Sequence, residues 1–181
     1  CKNRRVEYST KEEIFIWFLL PCNKQEEQNA LELCKNFISG YALLDAFLLT
    51  YDRMRRYQGA WHLEKKLLFP ASVLLESENE KELREELSQH KDITGYRTSV
   101  VKLNPEDETF LRFLCGKTRH IGMSKGVICN GVTQVKEGPL KGMETKICKI
   151  DRHKRLARLQ LPKGQNLRYI PAGLEIVEKS I

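Results

Sequence analysis

The spacing of apolar and polar positions changes along the chain, and each change marks a predicted element. The first apolar run, Ile14 to Leu20, is continuous, rich in aromatic and branched residues, and ends at Pro21, which predicts a buried strand. Beyond Asn23 the apolar positions recur at three- and four-residue steps until Gly40, which predicts a helix. The positions expected to face inward on this helix are Ala30, Leu33, Cys34, Phe37 and Ile38.

The middle of the chain alternates between strand and helix patterns. Residues 41–77 have the pattern of extended chain, with a turn at Gln58 and Gly59 and a break at Pro70. The charged segment "ENEKELREELSQH" predicts a helix whose Leu83 and Leu87 face inward, because they stand four residues apart.

Two further elements follow before the pattern changes for the last time. The segment "ITGYRTSVV", residues 93–101, predicts a short strand. The segment "NPEDETFLRFLCG" predicts a helix, with Asn104 as N-cap, Pro105 at the first helical position, three acidic residues in the first turn and an end at Gly116.

The last third of the chain has no helical pattern. It contains about five short extended runs separated by Asn-Gly, Gly-Pro, Asp-Arg-His, Pro-Lys-Gly and Pro-Ala-Gly, a turn spacing that predicts a small curled β-barrel. Gly122 and Ser124 favour a linker at residues 119–124. We therefore predict an α+β protein with a first domain at residues 12–118 and an all-β domain at residues 125–181.

The charge is unevenly divided between these two parts. The chain of 181 residues has a formal net charge of +7. Residues 1–121 contain 19 basic and 19 acidic residues, whereas residues 122–181 contain 12 basic and 5 acidic residues. The whole excess therefore lies in the predicted barrel, which indicates a polyanionic partner such as nucleic acid.

Motifs for catalysis, metals and membranes are not found. The six cysteines form no CxxC pair, and the four histidines are widely separated, so we predict no zinc site, no disulfides, no metal and no cofactor. The paired glutamates at 26–27 and at 106 and 108 stand in first turns of helices, where helix electrostatics explains them. We see no Walker loop and no Gly-x-Ser-x-Gly, and therefore predict no enzymatic activity. No apolar run reaches the roughly 18 to 20 residues of a membrane span, so we expect a cytoplasmic protein.

Several segments together resemble one family. "NGVTQVKEGPLKGMETKICKIDRHKRLARLQL" resembles a KOW motif, the signature of the SH3-like barrel that ends NusG-type transcription elongation factors. "RRYQGAWHLEKKLLFP" resembles that family's Arg-x-x-Gly-x-Trp stretch leading into Leu-Phe-Pro, and "IWFLLPCNKQEEQNA" resembles its first strand and helix. "LNPEDETFLRFLCG" and "MSKGVICNG" are similar to the link between the domains in LoaP-type antiterminators. The chain departs from the family pattern at Lys24, Leu67, Ala71 and Ser72.

The resemblance implies a fold and a set of partners. The first domain would be an RNP-like NusG N-terminal (NGN) α/β sandwich, and a monomer would bind the clamp coiled coil of RNA polymerase and suppress pausing and termination. The residues that this implies for polymerase binding are Trp17, Phe18, Phe69 and Pro70. The alternative for each of them is an ordinary core residue, since aromatic side chains usually pack inside.

Nucleic acid is the second implied partner. The expected ligand is RNA, of which a folded hairpin would present phosphates and 2′-hydroxyls. The candidates for contact with it are the basic residues of the barrel: Lys136, Lys141, Lys149, Arg152, His153, Lys154, Arg155 and Arg158. The candidates for contact with upstream DNA are Arg53, Arg55 and Arg56. A solvated surface turn is the alternative for the first set, and a charged hairpin edge that discourages aggregation is the alternative for the second. The alternative function is an RNA- or ribosome-binding KOW module without a polymerase contact.

Overall fold

The computed structural model describes residues 15–94, 99–165 and 167–180. These residues form three sheets and four helices, which confirms a mixed α+β protein. The helices are α1 (Glu27–Phe37), α2 (Glu80–Gln89), α3 (Lys91–Thr94) and α4 (Pro105–Cys115). The strands are β1 (Ile16–Pro21), β2 (Asp45–Phe47), β3 (Thr50–Tyr57), β4 (Ala60–Leu67), β5 (Ser72–Ser77), β6 (Val101–Lys102), β7 (His120–Ile121), β8 (Ser124–Cys129), β9 (Val132–Glu137), β10 (Ile147–Asp151), β11 (Leu156–Gln160) and β12 (Tyr169–Ser180).

The first sheet is covered on both faces. Its strand order is β2-β5-β1-β6, and β1 runs antiparallel to both of its neighbours. On one face Phe18 and Leu20 pack with the buried side chains of α1 and α2. On the other face Trp17 and Leu19 pack with α4 and with the C-terminal part of the chain. Burial on both faces explains why the sequence of β1 is continuously apolar and does not alternate.

Two predicted helices are confirmed. Asn104 caps α4, its side chain accepting a hydrogen bond from the Glu106 backbone N–H, and Pro105 takes the first helical position. Helix α2 buries Leu83 and Leu87 as expected. Both helices therefore follow from local sequence, because capping and periodicity agree in each.

Two local predictions were wrong. Phe37 is exposed, because α1 ends at this residue and the extended Ile38 that follows enters the core instead. Ile93, predicted to be in a strand, lies in the short helix α3 and is buried beside α1 and α2. The strand resumes only at Val101, and residues 95–98 of the predicted strand lie outside the described residues.

The segment predicted as a linker is structured. His120 and Ile121 form β7, which pairs in parallel with β3 and extends the β3–β4 hairpin to the sheet order β4-β3-β7. The His120 ring bonds to Thr50 Oγ1 (2.8 Å) and to Asp52 Oδ1 (2.9 Å). Ser124 is fully buried at the start of β8. The chain thus passes between its two parts through β7, two residues outside any strand, and β8. The predicted limits at residues 12 and 181 lie outside the described residues.

The C-terminal part forms one sheet of five strands in the order β10-β11-β12-β8-β9. Its outer strands β9 and β10 are not paired with each other in the described residues, so the sheet is open and not a barrel closed by hydrogen bonds. The two edges nevertheless approach, since Val132 and Thr133 line the same depression as Ile147 and Ile150. The sheet is therefore curled around its apolar side chains.

The two parts of the chain share one hydrophobic core. Leu159, Ile170 and Leu174 of the C-terminal sheet belong to the same buried cluster as Tyr51 and Phe69. Strand β12 crosses β3 so closely that a Cβ on residue 173, a glycine, would lie 2.6 Å from the backbone oxygen of Asp52.

A polar contact reinforces this packing. Asp107, buried at the start of α4, accepts hydrogen bonds from the backbone N–H groups of Lys163 (2.7 Å) and Gly164 (3.1 Å). Because hydrogen bonds to an ionised carboxylate are among the stronger ones, Asp107 holds the loop between β11 and β12 against the helix.

Candidate functional site

A hollow beside the Leu-Phe-Pro segment is the first candidate site. We call this the apolar hollow; it is lined by Leu19, Tyr51, Leu67, Leu68, Phe69, Pro70, Ser72, Leu167, Tyr169 and Pro171. Phe69 is only 8 % exposed, whereas Pro70 lies at the surface. The last three lining residues come from the C-terminal part, which therefore forms one wall of the apolar hollow.

The loop that carries Phe69 and Pro70 is held by a buried carboxylate. Ala71 has a left-handed backbone (φ 57°), and its N–H donates to Glu27 Oε1 at 2.8 Å. The Ala71 carbonyl accepts from the backbone N–H of Cys22. The hydrogen bond from Ala71 is the main reason why the pKa of Glu27 is lowered, since it stabilises the ionised form. Helix α1 thus fixes the far end of the Leu-Phe-Pro segment.

Trp17 and Phe18 do not line the apolar hollow. Phe18 is 0 % exposed and packs between the first sheet and helices α1 and α2, so its side chain is not available to a partner. Trp17 is 3 % exposed, and its Nε1–H donates to Glu76 Oε2 at 2.7 Å.

Arginine closes the other side of the Trp17 ring. The guanidinium of Arg112 lies 4.3 Å from the ring centroid and pairs with both Glu76 (3.0 Å) and Glu108 (2.8 Å). The positive charge of Arg112 is therefore neutralised. Of the four residues predicted for protein binding, the structure brings only Phe69 and Pro70 together.

The predicted basic turn is the tip of the β10–β11 hairpin. Arg152, His153 and Lys154 are exposed there. The side chain of Asp151 accepts a hydrogen bond from the Lys154 backbone N–H at 3.0 Å and so fixes the turn. Three of the predicted RNA contacts are therefore accessible at one loop.

Arg155 has a different role. Its left-handed backbone (φ 51°) ends the turn and directs the side chain away from the exposed tip. The guanidinium pairs with Glu175 at 2.8 Å and lies 4.1 Å from the ring centroid of Trp61 in β4. Arg155 is therefore neutralised and joins the two parts of the chain, which makes it a poor candidate for phosphate contact.

Beside the turn, the sheet forms a second candidate site, a depression of about 380 Å³. We call this the basic groove; it is lined by Lys149, Asp151, Lys154, Leu156, Ala157, Arg158, Tyr169, Ile170 and Pro171. Lys149 is directly opposite Arg158 in the pairing of β10 with β11, so the two cations lie on the same face. Three cations and one carboxylate thus line the groove.

Two predicted RNA contacts lie elsewhere. Lys136 is in β9 and bonds to Gln134, and Lys141 is in the turn that follows β9. Both are exposed, yet neither lines the basic groove. Tyr169, which lines both the apolar hollow and the basic groove, was not predicted as a site residue. The signal available for it is the segment "LRYIP", in which an aromatic residue follows an arginine.

The three arginines predicted for DNA contact do not form one cluster. Residues opposite each other in the β3–β4 hairpin share a face, and Arg53 is opposite Glu64 whereas Arg56 is opposite Trp61. Because successive residues of a strand alternate, Arg53 and Arg55 point to one face and Arg56 to the other. Arg55 also pairs with Glu64 at 3.6 Å. Only Arg55 and Arg56 are exposed.

Burial keeps two of the five thiols in the described residues protonated. Cys22, Cys34, Cys115, Cys129 and Cys148 are free. Burial raises the pKa of Cys34 and of Cys115 to about 12, so these two thiols are protonated at neutral pH. Within the described ranges no group of three or more His, Cys, Asp or Glu side chains is placed to hold a metal ion.

Across residues 15–94, 99–165 and 167–180, the helices are all too short or too polar to cross a membrane.

No model of a known protein family matches this chain, and no curated protein matches it.

Proposed function

We propose that this protein is a transcription elongation factor of the NusG type. In this proposal residues 15–118 form the NGN domain, which binds the clamp coiled coil of RNA polymerase through the apolar hollow, and residues 125–180 form the KOW domain, which contacts the transcript through the basic groove. By holding the clamp closed the factor suppresses pausing and termination. The single observation that carries the proposal is that one chain presents an apolar hollow and a basic groove that adjoin at Tyr169 and Pro171, each at the segment that resembles the corresponding family motif.

The backbone at Ala71 supports the resemblance at the point where the sequence departs from it. The family usually has glycine at this position, directly after Leu-Phe-Pro. Ala71 adopts a left-handed conformation (φ 57°), which glycine takes without strain and alanine takes at a cost of about 1 kcal/mol. The loop therefore has the shape that a glycine would favour, even though the residue has changed.

The wall contributed by the C-terminal part has a consequence for this mechanism. Leu167, Tyr169 and Pro171 form one wall of the apolar hollow, so a coiled coil that binds there contacts both parts of the chain. Arg155 on Trp61 and Asp107 on the backbone of Lys163 are polar contacts that hold the two parts together beside the hollow. Polymerase binding in this proposal therefore uses the two parts in the arrangement described above.

A pull-down with the isolated clamp helices of RNA polymerase tests the proposal. Pro70→Asp places a carboxylate at the apolar hollow and is expected to weaken binding by about tenfold or more, because burying an unpaired charge is costly. Leu63→Asp is the matched control, since Leu63 is exposed on β4 outside the hollow. Equal binding by both variants would contradict a contact through the hollow.

The alternative is an RNA- or ribosome-binding protein whose N-terminal part is only a scaffold. The burial of Trp17 and Phe18 favours it, because two of the four residues predicted for polymerase contact serve the core instead. The same pull-down separates the two functions. A wild-type protein that binds RNA but not the clamp helices would establish the alternative.

A salt titration tests whether the basic groove contacts phosphates. Arg158→Ala or Lys149→Ala is expected to reduce the slope of log affinity against log salt by about 0.7 for a single-stranded RNA, because each removes one contact that releases counterions. Arg155→Ala is the matched control, since Glu175 already neutralises this arginine, and it should leave the slope unchanged. A slope that Arg158→Ala and Lys149→Ala leave unchanged would place the phosphates elsewhere, and a slope that Arg155→Ala reduces equally would contradict its neutralisation by Glu175.

A further inference from the structure

An aromatic ring stands at the middle of the cations of the C-terminal sheet. Tyr169 lines the basic groove together with Lys149, Lys154 and Arg158. The guanidinium of Arg158 lies 5.6 Å from the centroid of the Tyr169 ring, and that of Arg168 lies at the same distance. The ring is half-buried, so part of it remains accessible.

The two guanidinium groups lie over this ring at a longer distance than that of the tightly stacked pairs. Elsewhere in the protein the tightly stacked guanidiniums lie 3.6 Å from the ring of Phe47 (Arg119) and 4.1 Å from that of Trp61 (Arg155). The longer distances at Tyr169 leave its ring without a close stacking partner among these cations. An aromatic face edged by cations is the arrangement that binds a base and its phosphates together.

The dimensions and charge of the groove fit one nucleotide. A volume of about 380 Å³ is at the small end of the range for small-molecule sites. Lys149 and Arg158 stand side by side across the β10–β11 pairing, and Lys154 closes the end at the hairpin turn. Asp151 is paired with Lys154 at 3.8 Å, so Lys149 and Arg158 remain to contact phosphate oxygens.

We propose that the basic groove binds an unpaired nucleotide of RNA, whose base stacks on Tyr169 and whose flanking phosphates contact Lys149 and Arg158. This inference rests on the proposed contact with the transcript and narrows it: the ligand is a single-stranded segment or the loop of a hairpin, and not a duplex. A base held in a duplex is already stacked on both faces, so it cannot offer a face to the tyrosine.

The first test uses the full chain and two labelled RNAs, a 12-nucleotide single strand without self-pairing and the duplex formed with its complement. We expect the single strand to bind at least tenfold more tightly than the duplex at the same salt concentration. With 2-aminopurine in the single strand, bound protein should quench the fluorescence, because this base loses emission when it stacks on an aromatic ring. Equal affinity for both RNAs, or binding without quenching, would overturn the inference.

The second test changes the ring. Tyr169→Ala is expected to weaken binding of the single strand by about tenfold, the effect of removing one aromatic stacking partner, while leaving the salt slope unchanged because no charge is lost. Tyr169→Phe keeps the ring and should bind within twofold of the wild type. Tyr41→Ala is the control, since Tyr41 is exposed and lies outside the groove. Should Tyr169→Ala prove unfolded, the quenching measurement on the wild type decides the matter.

Failure of this inference differs from failure of the proposed function. A protein that binds neither RNA even at low salt would overturn both the transcript contact and the stacking site. A protein that binds RNA with a salt slope dependent on Lys149 and Arg158, but with no effect of Tyr169→Ala, would overturn the stacking site alone.

Discussion

Replacement of Gly138 by alanine is expected to lower the free energy of unfolding by about 3 kcal/mol or more. Gly138 has a left-handed backbone (φ 93°), and a Cβ at this position would lie 2.6 Å from the Met123 carbonyl oxygen and 2.6 Å from the Ser124 Cα. These neighbours are backbone atoms and move only if the whole segment moves. Gly138, the first glycine of the segment "EGPLKG", is thus required by the close approach of two chain segments.

Gly142→Ala is the matched control for this prediction. Gly142 also has a positive φ (81°), but a Cβ there would meet nothing within 4 Å. Its replacement should therefore cost only the conformational strain, about 1 kcal/mol. Denaturant unfolding of both variants measures the difference. Equal losses in the two variants would contradict a role for Gly138 in seating this turn against residues 123–124.

Phe18→Ala is expected to lower the free energy of unfolding by about 3 to 5 kcal/mol, the usual cost of emptying a Phe-sized site in a core. Phe18 is 0 % exposed and packs with Ala30, Cys34 and Leu83 beneath α1 and α2. Any loss of partner binding in this variant would then follow from unfolding and not from a lost contact.

Phe113→Ala provides the comparison with the same chemical change at the surface. Phe113 is 73 % exposed on α4, so its removal should alter the unfolding free energy by no more than about 0.5 kcal/mol. Thermal or denaturant unfolding of the two variants, followed by circular dichroism, measures both effects. A Phe18→Ala protein as stable as Phe113→Ala would contradict the packing of β1 described above.

Local sequence predicted the elements best where several signals agree. The Asn104 cap, the Pro105 start and the Gly116 end define α4, and all three are confirmed. The predicted turn at Gln58 and Gly59 is also confirmed. It joins β3 to β4, and both of its residues have a positive φ. The end of α1 at Phe37 and the helical position of Ile93 were not predicted, because both depend on what packs against these segments and spacing alone does not contain that information.

The composition of the two sites depended on contacts distant in sequence. Trp17 and Phe18 are neighbours in an apolar run that predicts a buried strand, and alternation along β1 sends them to opposite faces. Only the fold shows that neither side chain lines the apolar hollow. Arg155 and Arg158 belong to one basic run, yet Glu175 and Trp61 hold the first while the second lines the groove.

The basic groove itself was only half predicted. Its cations were identified from the charge of the C-terminal part, but Lys149 and Arg158 meet through strand register, which turn spacing does not fix. In the pairing of β11 with β12, Tyr169 lies on the same face of the sheet as Arg158. The sequence therefore indicated a charged partner, whereas the fold indicates where an aromatic ring meets the charge.

The most direct test of the division of function between the apolar hollow and the basic groove is single-round transcription across an intrinsic terminator. The assay uses the RNA polymerase of the cell that makes this protein, and a template that carries the protein's own leader sequence upstream of the terminator. The account predicts that saturating wild-type protein raises the fraction of read-through product, and that Pro70→Asp does not. Read-through that is unchanged by saturating wild-type protein would contradict it.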